Sequence, residues 1–348
     1  MKVAVLSNQK REGVVNRFGQ ICPEKYSPHH VQAAVDAIAE AGYDVTYVEA
    51  DKNMLTEIEK FMPPHPITGQ PTGLVFNMAY GIQGHDRYTH VPGLLELAGV
   101  PYTGSTPLRH ALALDKALTK IVISHAGVPT PAFQVFKTAE DETGGLQFPL
   151  VVKPLHESTS YGLALVHSET ELREAVAQVL EPFSQPALVE EYIQGREFNV
   201  GLLGDTELEV FPVLELDFGA REFALLTWGD KYHKTPDEPV KVCPAMIDMD
   251  LSRRLQEIAI ETFRACKLRD YARVDIRIGA DGNPKVLEIN SMASLGPNGS
   301  FMCGAQAAGY TTQTVVQRIL QIAAARCPTL QSRPLSARCD VNELSTVA

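Results

Sequence analysis

The sequence predicts a mixed α/β protein (α/β with α+β character) of several domains, and three observations carry this prediction. Between residues 3 and 48 a strand, a helix and a second strand follow one another, as in a parallel α/β unit. After Pro129 and Pro131 the pattern changes to short strands separated by helices. Between Arg273 and Asn290 two alternating segments flank a turn, which predicts an antiparallel hairpin.

The composition limits the kinds of function that the chain can have. Among 348 residues, 42 acidic side chains exceed 31 basic ones, and the net charge of -11 argues against general binding of nucleic acid or of anionic membranes. The six cysteines form no C-x-x-C pair, so neither a zinc site nor a disulfide framework is indicated. Neither a signal-peptide core nor an apolar run of membrane length is present. We expect a soluble, cytoplasmic protein.

The N-terminal region begins with a strand at residues 3–6, and a helix follows whose capping residue is Ser27. A dinucleotide-binding fold would begin in the same way. However, residues 7–13 lack the G-x-G-x-x-G loop on which that hypothesis depends. A further strand at residues 74–77 leads into a polar loop at residues 80–86, and loops at the carboxyl ends of parallel strands commonly bind ligands.

A helix is predicted over residues 115–127, with Leu118, Ile121 and Val122 at the spacing of an inward face. The prolines that follow it suggest a domain boundary near residue 130. The chain on either side of this point therefore belongs to different folding units.

Two segments of the following region carry residues suited to binding. The strand at residues 148–154 has a lysine near its end, and the hydroxyl-rich loop at residues 157–162 can cradle phosphate oxygens, although polar turns also occur without any ligand. The strand at residues 188–193 becomes acidic. There it can offer backbone groups and a carboxylate to a purine or a ribose, or it can simply be solvated.

The last third of the chain contains a long irregular segment. Residues 217–240 have no clear period and combine aromatic and basic side chains, which in a compact domain is typical of a functional lid. An amphipathic helix is predicted over residues 251–266. From Pro328 onward the chain is polar without periodicity, and we expect it to be poorly ordered.

The hairpin near the C-terminus carries charged residues on one face. Asp275, Glu288 and Asn290 can converge across its two strands, and three oxygen ligands suit a hard cation such as Mg²⁺. A solvated sheet face is the alternative. Together with the lysine-bearing strand, the hydroxyl-rich loop and the lid, the hairpin indicates an ATP site, and this site lacks the Walker A pattern G-x-x-x-x-G-K-[ST].

Over residues 1 to about 325 the chain resembles ATP-grasp enzymes of the D-alanine–D-alanine ligase family. The resemblance rests on GIQGHD (81–86), PYTGS (101–105), DKALTK (115–120), VVKP (151–154), EEYIQGRE (190–197), KY (231–232), RVD (273–275) and LEIN (287–290). It implies an N-terminal α/β domain (1–105), a central lid domain (106–195), a C-terminal domain (196–327) and a poorly ordered tail (328–348). ATP would lie between the central and C-terminal domains of this ATP-grasp fold.

The resemblance also implies residue roles for an ATP-dependent carbon–nitrogen ligase. Lys116 and Lys153 would contact the nucleotide phosphates, whereas adenine and ribose would be held by Glu190, Tyr192, Ile193 and Glu197. Asp275, Glu288 and Asn290 would bind two Mg²⁺ ions, for which Mn²⁺ is an alternative. The implied catalytic residues are Arg273, which stabilises negative charge, Lys231, which approaches the γ-phosphate, Tyr232, and Thr159, which stands where the family has a serine. Tyr80 and Ser300 are the candidate substrate residues.

The departures from the family pattern fall on the substrate side. The family has a Gly-Gly-x-Ser-x-Glu segment after its first strand, whereas this chain has residues 7–12, in which Glu12 is one replacement for the family glutamate. Tyr80 stands in place of a family histidine, and residues 292–297 replace a Pro-Gly-Met-Thr run. The nucleotide motifs are kept while both amino-acid pockets differ, so we expect a substrate other than D-alanine.

The leading hypothesis is a ligase of secondary metabolism that activates one small molecule as an acyl or enol phosphate and couples it to the amine of an amino acid. Attachment of serine or threonine to mycosporine-glycine is the sharper form of this hypothesis. A cell-wall D-alanine–D-alanine ligase and a non-catalytic, ATP-binding regulatory module are the alternatives. The family also suggests a homodimer.

Overall fold

The computed structural model describes residues 1–232 and 238–331, and it describes the side chains in these ranges except those of residues 231, 232 and 331. Within this part of the chain the strands form three sheets, and helices cover them. No described helix is both long and apolar enough to cross a membrane. The mixed α/β architecture agrees with the sequence prediction.

The N-terminal sheet is parallel, with strand order β2-β1-β3. Strands β1 and β3 are apolar and buried along most of their length because helices cover both faces, which is the usual state of a parallel sheet, whereas the edge strand β2 is mostly exposed or half-buried. Ser27 caps α1 by accepting a hydrogen bond from the backbone N–H of His30, as its sequence position predicts. The elements are β1 (Lys2–Ser7), α1 (Pro28–Glu40), β2 (Asp44–Glu49), α2 (Met54–Phe61), β3 (Gly73–Asn77) and α3 (His90–Leu97), with a short 3-10 turn at Arg87–Thr89.

The central sheet is antiparallel, with strand order β4-β7-β5-β6. One face is covered by α6, whose N-cap Ser168 accepts a hydrogen bond from the backbone of Glu171. This is the helix start predicted by the capping pattern Ser-x-x-Glu. The elements are β4 (Phe133–Phe136), β5 (Leu150–Pro154), β6 (Ala164–Val166), α6 (Glu169–Phe183) and β7 (Ala187–Glu191).

The C-terminal sheet is also antiparallel, with order β11-β10-β8-β12-β13 and with β9 paired to β8. The predicted hairpin is present as β12 and β13, and a bulge lies between Asp275 and Ile276. The strands are β8 (Gly195–Gly204), β9 (Leu208–Val210), β10 (Leu214–Asp217), β11 (Val240–Val242), β12 (Asp270–Gly279) and β13 (Pro284–Asn290). The helices are α8 (Met249–Ala265), α9 (Ser300–Ala307) and α10 (Thr312–Ala325).

The helices α4 (Pro107–Leu114) and α5 (Lys116–His125) join the N-terminal unit to the central sheet. Together with Val128 they contribute Ala113 and Ile123 to the core of the C-terminal sheet. The chain therefore enters the central sheet only at β4, beyond residue 130.

The sequence analysis assigned the wrong face of α5 to the protein core. Leu118 is 49% exposed and Ile121 is 55% exposed, whereas Lys120 and Ile123 are fully buried. The physical reason is that the buried face carries lysines, and their ammonium groups find oxygen partners inside the protein. Apolar periodicity alone cannot identify such a face.

Two segments differ from the irregular structure that the sequence predicts. In the lid segment a short helix, α7 (Trp228–Tyr232), precedes residues 233–237, which lie outside the described part of the chain. In the predicted tail, Pro328–Gln331 form a helical turn, α11, and Leu330 packs against the core shared by α1 and α10. Residues 332–348 lie outside the described ranges.

Candidate active site

A cavity of about 620 Å³ lies where the three units meet. Strands of the central sheet and of the C-terminal sheet form its walls, and loops of the N-terminal unit close one end. A second hollow, of about 660 Å³, lies between β2 and α2 and contains none of the predicted site residues. The inter-domain cavity is therefore the candidate active site.

The hairpin places its oxygen donors side by side. Asp275 and Glu288 are paired residues of β12 and β13, and Asn290 follows on the same face of β13. Arg273 donates two hydrogen bonds of 2.7 Å to the two carboxylate oxygens of Asp275. Asn199, on the neighbouring strand β8, donates to Asp275 Oδ1 at 2.9 Å. The charged face of the hairpin is thus turned into the cavity.

These residues fit a hard cation. No group of three His, Cys, Asp or Glu side chains suited to a metal occurs among the described residues, so the amide of Asn290 has to complete the set. Its nitrogen faces Asp275 Oδ2 at 3.1 Å and Glu288 Oε1 at 3.4 Å. A half-turn of this amide would point its oxygen the same way and give three oxygen donors, the chemistry that Mg²⁺ prefers.

Lys116 and Lys153 line one end of the cavity, Lys120 is buried behind them, and one carboxylate joins Lys120 and Lys153. Lys153 contacts Glu190 Oε1 at 2.5 Å, and Lys120 contacts Glu190 Oε2 at 2.7 Å. Burial alone would raise the pKa of Glu190, but the two ammonium groups lower it. Burial lowers the pKa of Lys120 to about 8. The third lysine, Lys116, donates to the backbone carbonyl of Glu157.

Lys120 is a site residue that the sequence analysis missed. It is fully buried, and it also donates to Thr130 Oγ1 at 2.7 Å. The signal that could have found it is its position one helical turn after Lys116, because residues four apart share a helix face.

The segment after β7 borders the cavity through Tyr192, Ile193 and Glu197. Arg277 holds this segment: it donates to the carbonyl of Ile193 at 3.0 Å, and its Nε lies 3.2 Å from Glu197 Oε2. Its guanidinium also lies 5.0 Å from the ring centre of Tyr192. Arg277 thus fixes the backbone at Ile193, on the wall of the cavity. From the alternation of β12 the sequence analysis had inferred only that Arg277 lies on the charged face of that strand.

Residues 157–162 form the loop that follows β5, and we call this segment the phosphate loop. Thr159 and Ser160 have φ angles of 60° and 58°. Two successive non-glycine residues in the left-handed region are unusual, and such strain is concentrated at functional sites. Thr159 lines the cavity, and its hydroxyl donates to the carbonyl of Ser158.

The N-terminal unit closes the cavity with a carboxylate and three tyrosines. Tyr88 donates to Glu24 Oε1 at 2.7 Å, and the hydroxyl of Ser158 donates to the same oxygen. The rings of Tyr26 and Tyr80 are stacked with centroids 5.2 Å apart. Burial raises the pKa values of Tyr80 and Tyr88 well above the ordinary value, so both phenols are neutral.

The replacement considered for the family glutamate was Glu12, but Glu12 is exposed and lies outside the cavity lining. The carboxylate at this end of the cavity belongs to Glu24, which the sequence analysis missed. No local motif marks Glu24, because it lies in an irregular segment that only the tertiary fold brings to the site.

Residues 291–300 form the wall of the cavity opposite Glu24 and the tyrosines of the N-terminal unit. Tyr26 Oη accepts a hydrogen bond of 3.0 Å from the backbone N–H of Leu295. Behind this wall Ser291 contacts His110 Nδ1 at 2.8 Å, and burial lowers the pKa of His110 to about 3. Ser300 lines the cavity at the start of α9.

The lid residues are described only in part. The backbone of Lys231 and Tyr232 belongs to α7, but their side chains lie outside the described part of the chain. Asp230 holds this helix by accepting hydrogen bonds from Arg221 at 2.5 Å and from the backbone N–H of Thr227 at 2.7 Å. The guanidinium of Arg221 lowers the pKa of Asp230 to about 2.

The structure brings the other predicted site residues into one cavity. Its lining includes Tyr80, Lys116, Lys153, Thr159, Glu190, Tyr192, Ile193, Glu197, Arg273, Asp275, Glu288, Asn290 and Ser300. These residues come from all three units, so the cavity exists only in the assembled fold.

Comparisons with known proteins identify the family of the chain. The pattern of a family described as "D-ala D-ala ligase C-terminus" matches residues 122–321. An uncharacterized protein of Sinorhizobium fredii, y4sG, is 46% identical over 93% of this chain and 97% of its own length. The D-alanine–D-alanine ligase of Carboxydothermus hydrogenoformans is 30% identical over 88% of this chain and 97% of its own length.

Two solved structures show the same fold. The D-alanine–D-alanine ligase of Bacillus anthracis, complexed with ATP, has a TM-score of 0.72 at 22% identity and covers 94% of this chain and 98% of its own. The VanG D-Ala:D-Ser ligase of Enterococcus faecalis has a TM-score of 0.70 at 21% identity and covers 92% of this chain and 99% of its own. The chain therefore has the ATP-grasp fold and belongs to the D-alanine–D-alanine ligase family of ATP-dependent, ADP-forming ligases.

Proposed function

We propose that the protein uses ATP and Mg²⁺ to phosphorylate an oxygen of one small molecule and then couples that molecule to the amine of an amino acid. The observation that carries this proposal is the shared cavity. Lysines at one end, an oxygen-donor hairpin in the middle and a tyrosine-lined carboxylate at the other end line a single continuous space.

We call the end of the cavity lined by Lys116 and Lys153 the nucleotide end, and its residues support a role in phosphate and purine binding. Lys116 and Lys153 would neutralise phosphate charge, and the strained phosphate loop with Thr159 would contribute hydroxyl and backbone groups. Adenine and ribose would be held by Glu190, Tyr192, Ile193 and Glu197. Arg277 supports this assignment because it fixes the carbonyl of Ile193.

Asp275, Glu288 and Asn290 would hold Mg²⁺, with two ions as the family suggests and Mn²⁺ as an alternative. There Mg²⁺ would neutralise negative charge on the phosphate oxygens of ATP. Arg273 is already held beside Asp275 and would face the reacting group, where it would stabilise negative charge. Lys231 and Tyr232 are proposed to complete the site from the lid.

The reaction balances as two displacements. In the first, an oxygen of the substrate attacks the γ-phosphorus of ATP, and the bond from phosphorus to the β,γ-bridging oxygen breaks to release ADP. In the second, the ammonium group first gives up a proton to become a neutral amine, which attacks the activated carbon and loses a second proton, while the phosphate leaves with the oxygen that the substrate supplied. Both a carboxylate and an enol satisfy this scheme.

We call the end of the cavity that contains Glu24 the substrate end, and we propose that Glu24 binds an ammonium group there. It is the carboxylate that the phosphate loop and Tyr88 both contact, and it lines the cavity. Tyr80 and Ser300 would bound the space on either side. Because neither wall matches the family pattern at Tyr80 and at residues 292–297, the substrate is proposed to be other than D-alanine.

The test is ADP release from Mg-ATP with the purified full chain. The panel contains D-alanine alone, D- and L-serine, threonine and glycine, each with and without a carboxylate or cyclic enol acceptor such as mycosporine-glycine. We expect ADP release that depends on both an amino acid and an acceptor. Turnover with D-alanine alone would favour a cell-wall ligase, and ATP binding without turnover across the panel would favour a regulatory module.

The finer expectations remain predictions. Attachment of serine or threonine to mycosporine-glycine is decided by the same panel. Sedimentation of the purified chain tests the homodimer, and fractionation of cells tests the cytoplasmic location.

A further inference from the structure

One deeply buried charged side chain near the site belongs to a residue that does not line the cavity. Arg87 is 1% exposed and lies in the 3-10 turn after the polar loop of the N-terminal unit. Its guanidinium crosses to the central unit, where Nη1 donates to the carbonyl of His156 at 3.1 Å and Nη2 lies 3.2 Å from Glu157 Oε2. This ion pair therefore links two units at the start of the phosphate loop.

The same guanidinium also reaches the substrate end. Nη2 of Arg87 lies 3.5 Å from Glu24 Oε1, and the guanidinium lies 5.4 Å from the ring centre of Tyr88. Tyr88 in turn donates to Glu24. Arg87 is thus shared between Glu24, at the substrate end, and Glu157, in the phosphate loop.

Glu157 connects this pair to the nucleotide end. Its carbonyl accepts a hydrogen bond from Lys116, and its carboxylate accepts one of 3.2 Å from Gln185. The left-handed residues Thr159 and Ser160 begin two positions after Glu157. Moving Glu157 away from Arg87 would leave a buried charge without its partner, which is strongly unfavourable. The position of the phosphate loop therefore depends on Arg87.

We propose that Arg87 is a positioning residue that couples the phosphate loop to Glu24, so that the nucleotide end and the substrate end of the cavity assemble together. A ligand that stabilises the position of Glu24 favours the same arrangement of Arg87 and Glu157 that presents the loop to the nucleotide. Coupling between two ligands is reciprocal, so each ligand tightens the binding of the other. This inference rests on the proposed function, because the loop and Glu24 have to serve two ligands.

The test compares Arg87→Met with wild type by calorimetric titration of Mg-ATP. Because Arg87 lies outside the cavity lining, it makes no direct contact that the substitution could remove from a bound ligand. We expect the Kd for Mg-ATP to rise about tenfold, within the usual range of coupling between sites. Arg87→Lys keeps the charge but not the fork of donors, and we expect it to recover part of the affinity.

Tryptophan fluorescence can report on the phosphate loop. Trp228 is the single tryptophan of the sequence, and its ring centre lies 4.7 Å from that of Tyr161 in the phosphate loop. We expect the Mg-ATP-induced change in tryptophan emission to be smaller in Arg87→Met than in wild type.

Arg326→Met is the matched control. Arg326 also bridges two units, since it donates to Asp270 at 2.9 Å and to the carbonyl of Tyr102 at 3.4 Å, but it touches neither Glu24 nor the phosphate loop. We expect a lower Tm and a Kd for Mg-ATP within twofold of wild type. An equal loss of affinity in Arg326→Met and Arg87→Met, or no loss in a folded Arg87→Met, would overturn the proposal.

The outcomes separate this inference from the proposed function. If wild type releases no ADP with any substrate pair but Arg87→Met still weakens Mg-ATP binding, the proposed function fails and the positioning role of Arg87 remains. If wild type turns over and Arg87→Met has an unchanged Kd and unchanged KM values, only the positioning role fails. Should Arg87→Met not fold, Arg87→Lys decides: an affinity equal to that of wild type would then overturn the proposal.

Discussion

The two ends of the cavity are built in different ways. The nucleotide end and the adjoining hairpin consist mainly of strand residues, such as Lys153 on β5, Glu190 on β7, and Asp275 and Glu288 on the hairpin. The substrate end consists of irregular segments from distant parts of the chain, namely residues 24–30, 80–88 and 292–300. Strands fix the direction of alternate side chains, whereas loops depend on tertiary packing. The alternation of the strands is a local signal that the sequence shows, whereas at the substrate end the sequence analysis named Tyr80 and Ser300 but missed Glu24.

The two ends of the cavity also differ in how their charged side chains are paired. Beside the nucleotide end, Lys153 and Arg277 are paired with carboxylates of their own sheets, and Lys120 of α5 is paired with Glu190 on β7. At the substrate end, Glu24 is held by the phenol of Tyr88 and the shared guanidinium of Arg87, both from one turn, and by the hydroxyl of Ser158. If the two ends have separate tasks, substitutions at each should change different kinetic constants. The following predictions test this separation, from the largest expected effect to the smallest.

Removing one carboxylate from the hairpin should have the largest effect. In Glu288→Gln we expect kcat for ADP release to fall by about 10³-fold or more, because the proposed Mg²⁺ site loses one of its two charged ligands. Glu215→Gln is the control, since Glu215 is also a strand carboxylate with an arginine partner but lies outside the cavity lining. Full activity in Glu288→Gln at saturating Mg²⁺ would contradict the assignment of the metal site.

At the substrate end, Glu24→Gln should affect the amine substrate selectively. Loss of a charged hydrogen-bonding partner predicts a drop in kcat/KM for the amine substrate of about 10- to 100-fold. The Kd for Mg-ATP should stay within about threefold of wild type, because the amide keeps the hydrogen-bond partners of Glu24 in place. The exposed Glu12→Gln is the control. An equal loss for both substrates would break the separation between the two ends.

A substitution of Asp230, which holds the lid helix α7, should have an intermediate effect on the kinetics. Asp230→Asn weakens the contact with Arg221 that holds α7, and we expect kcat/KM for ATP to fall about tenfold because Lys231 and Tyr232 lose their fixed backbone. The carboxylate of Asp230 has a depressed pKa, so its stabilising contribution is present above pH 3.8 and is lost as the pH falls towards 2. Asp250→Asn, on the exposed surface of α8, should leave the kinetics unchanged.

His110 should affect stability rather than catalysis. Its pKa is depressed from 6.5 to about 3 in the folded protein, so below pH 6.5 the unfolded state binds more protons and stability falls. Between pH 6.5 and 5 this costs about 2 kcal/mol, at about 1.4 kcal/mol per pH unit. Urea unfolding of His110→Asn should show less loss over this range than wild type. His125→Asn, at an exposed site, should retain the wild-type slope.

Particular residues show why the prediction from sequence stops where it does. The hairpin was predicted because turn chemistry and period-two alternation are local signals. The inward face of α5 was predicted wrongly because Lys120 is buried against Glu190, a residue seventy positions away. Arg87 and Glu24 were missed for the same reason. Their significance lies in contacts with Glu157 and Ser158, which no local pattern encodes.

The most direct test of the account is the fate of one oxygen atom. The substrate pair found by the ADP-release panel is prepared with ¹⁸O in the carboxyl or enol group, and the released phosphate is examined by ³¹P NMR. If the two ends form one reaction centre, each phosphate should carry one ¹⁸O from the substrate. Turnover that releases unlabelled phosphate while the label stays in the product would show that ATP is consumed without phosphorylating the substrate, and would contradict the account.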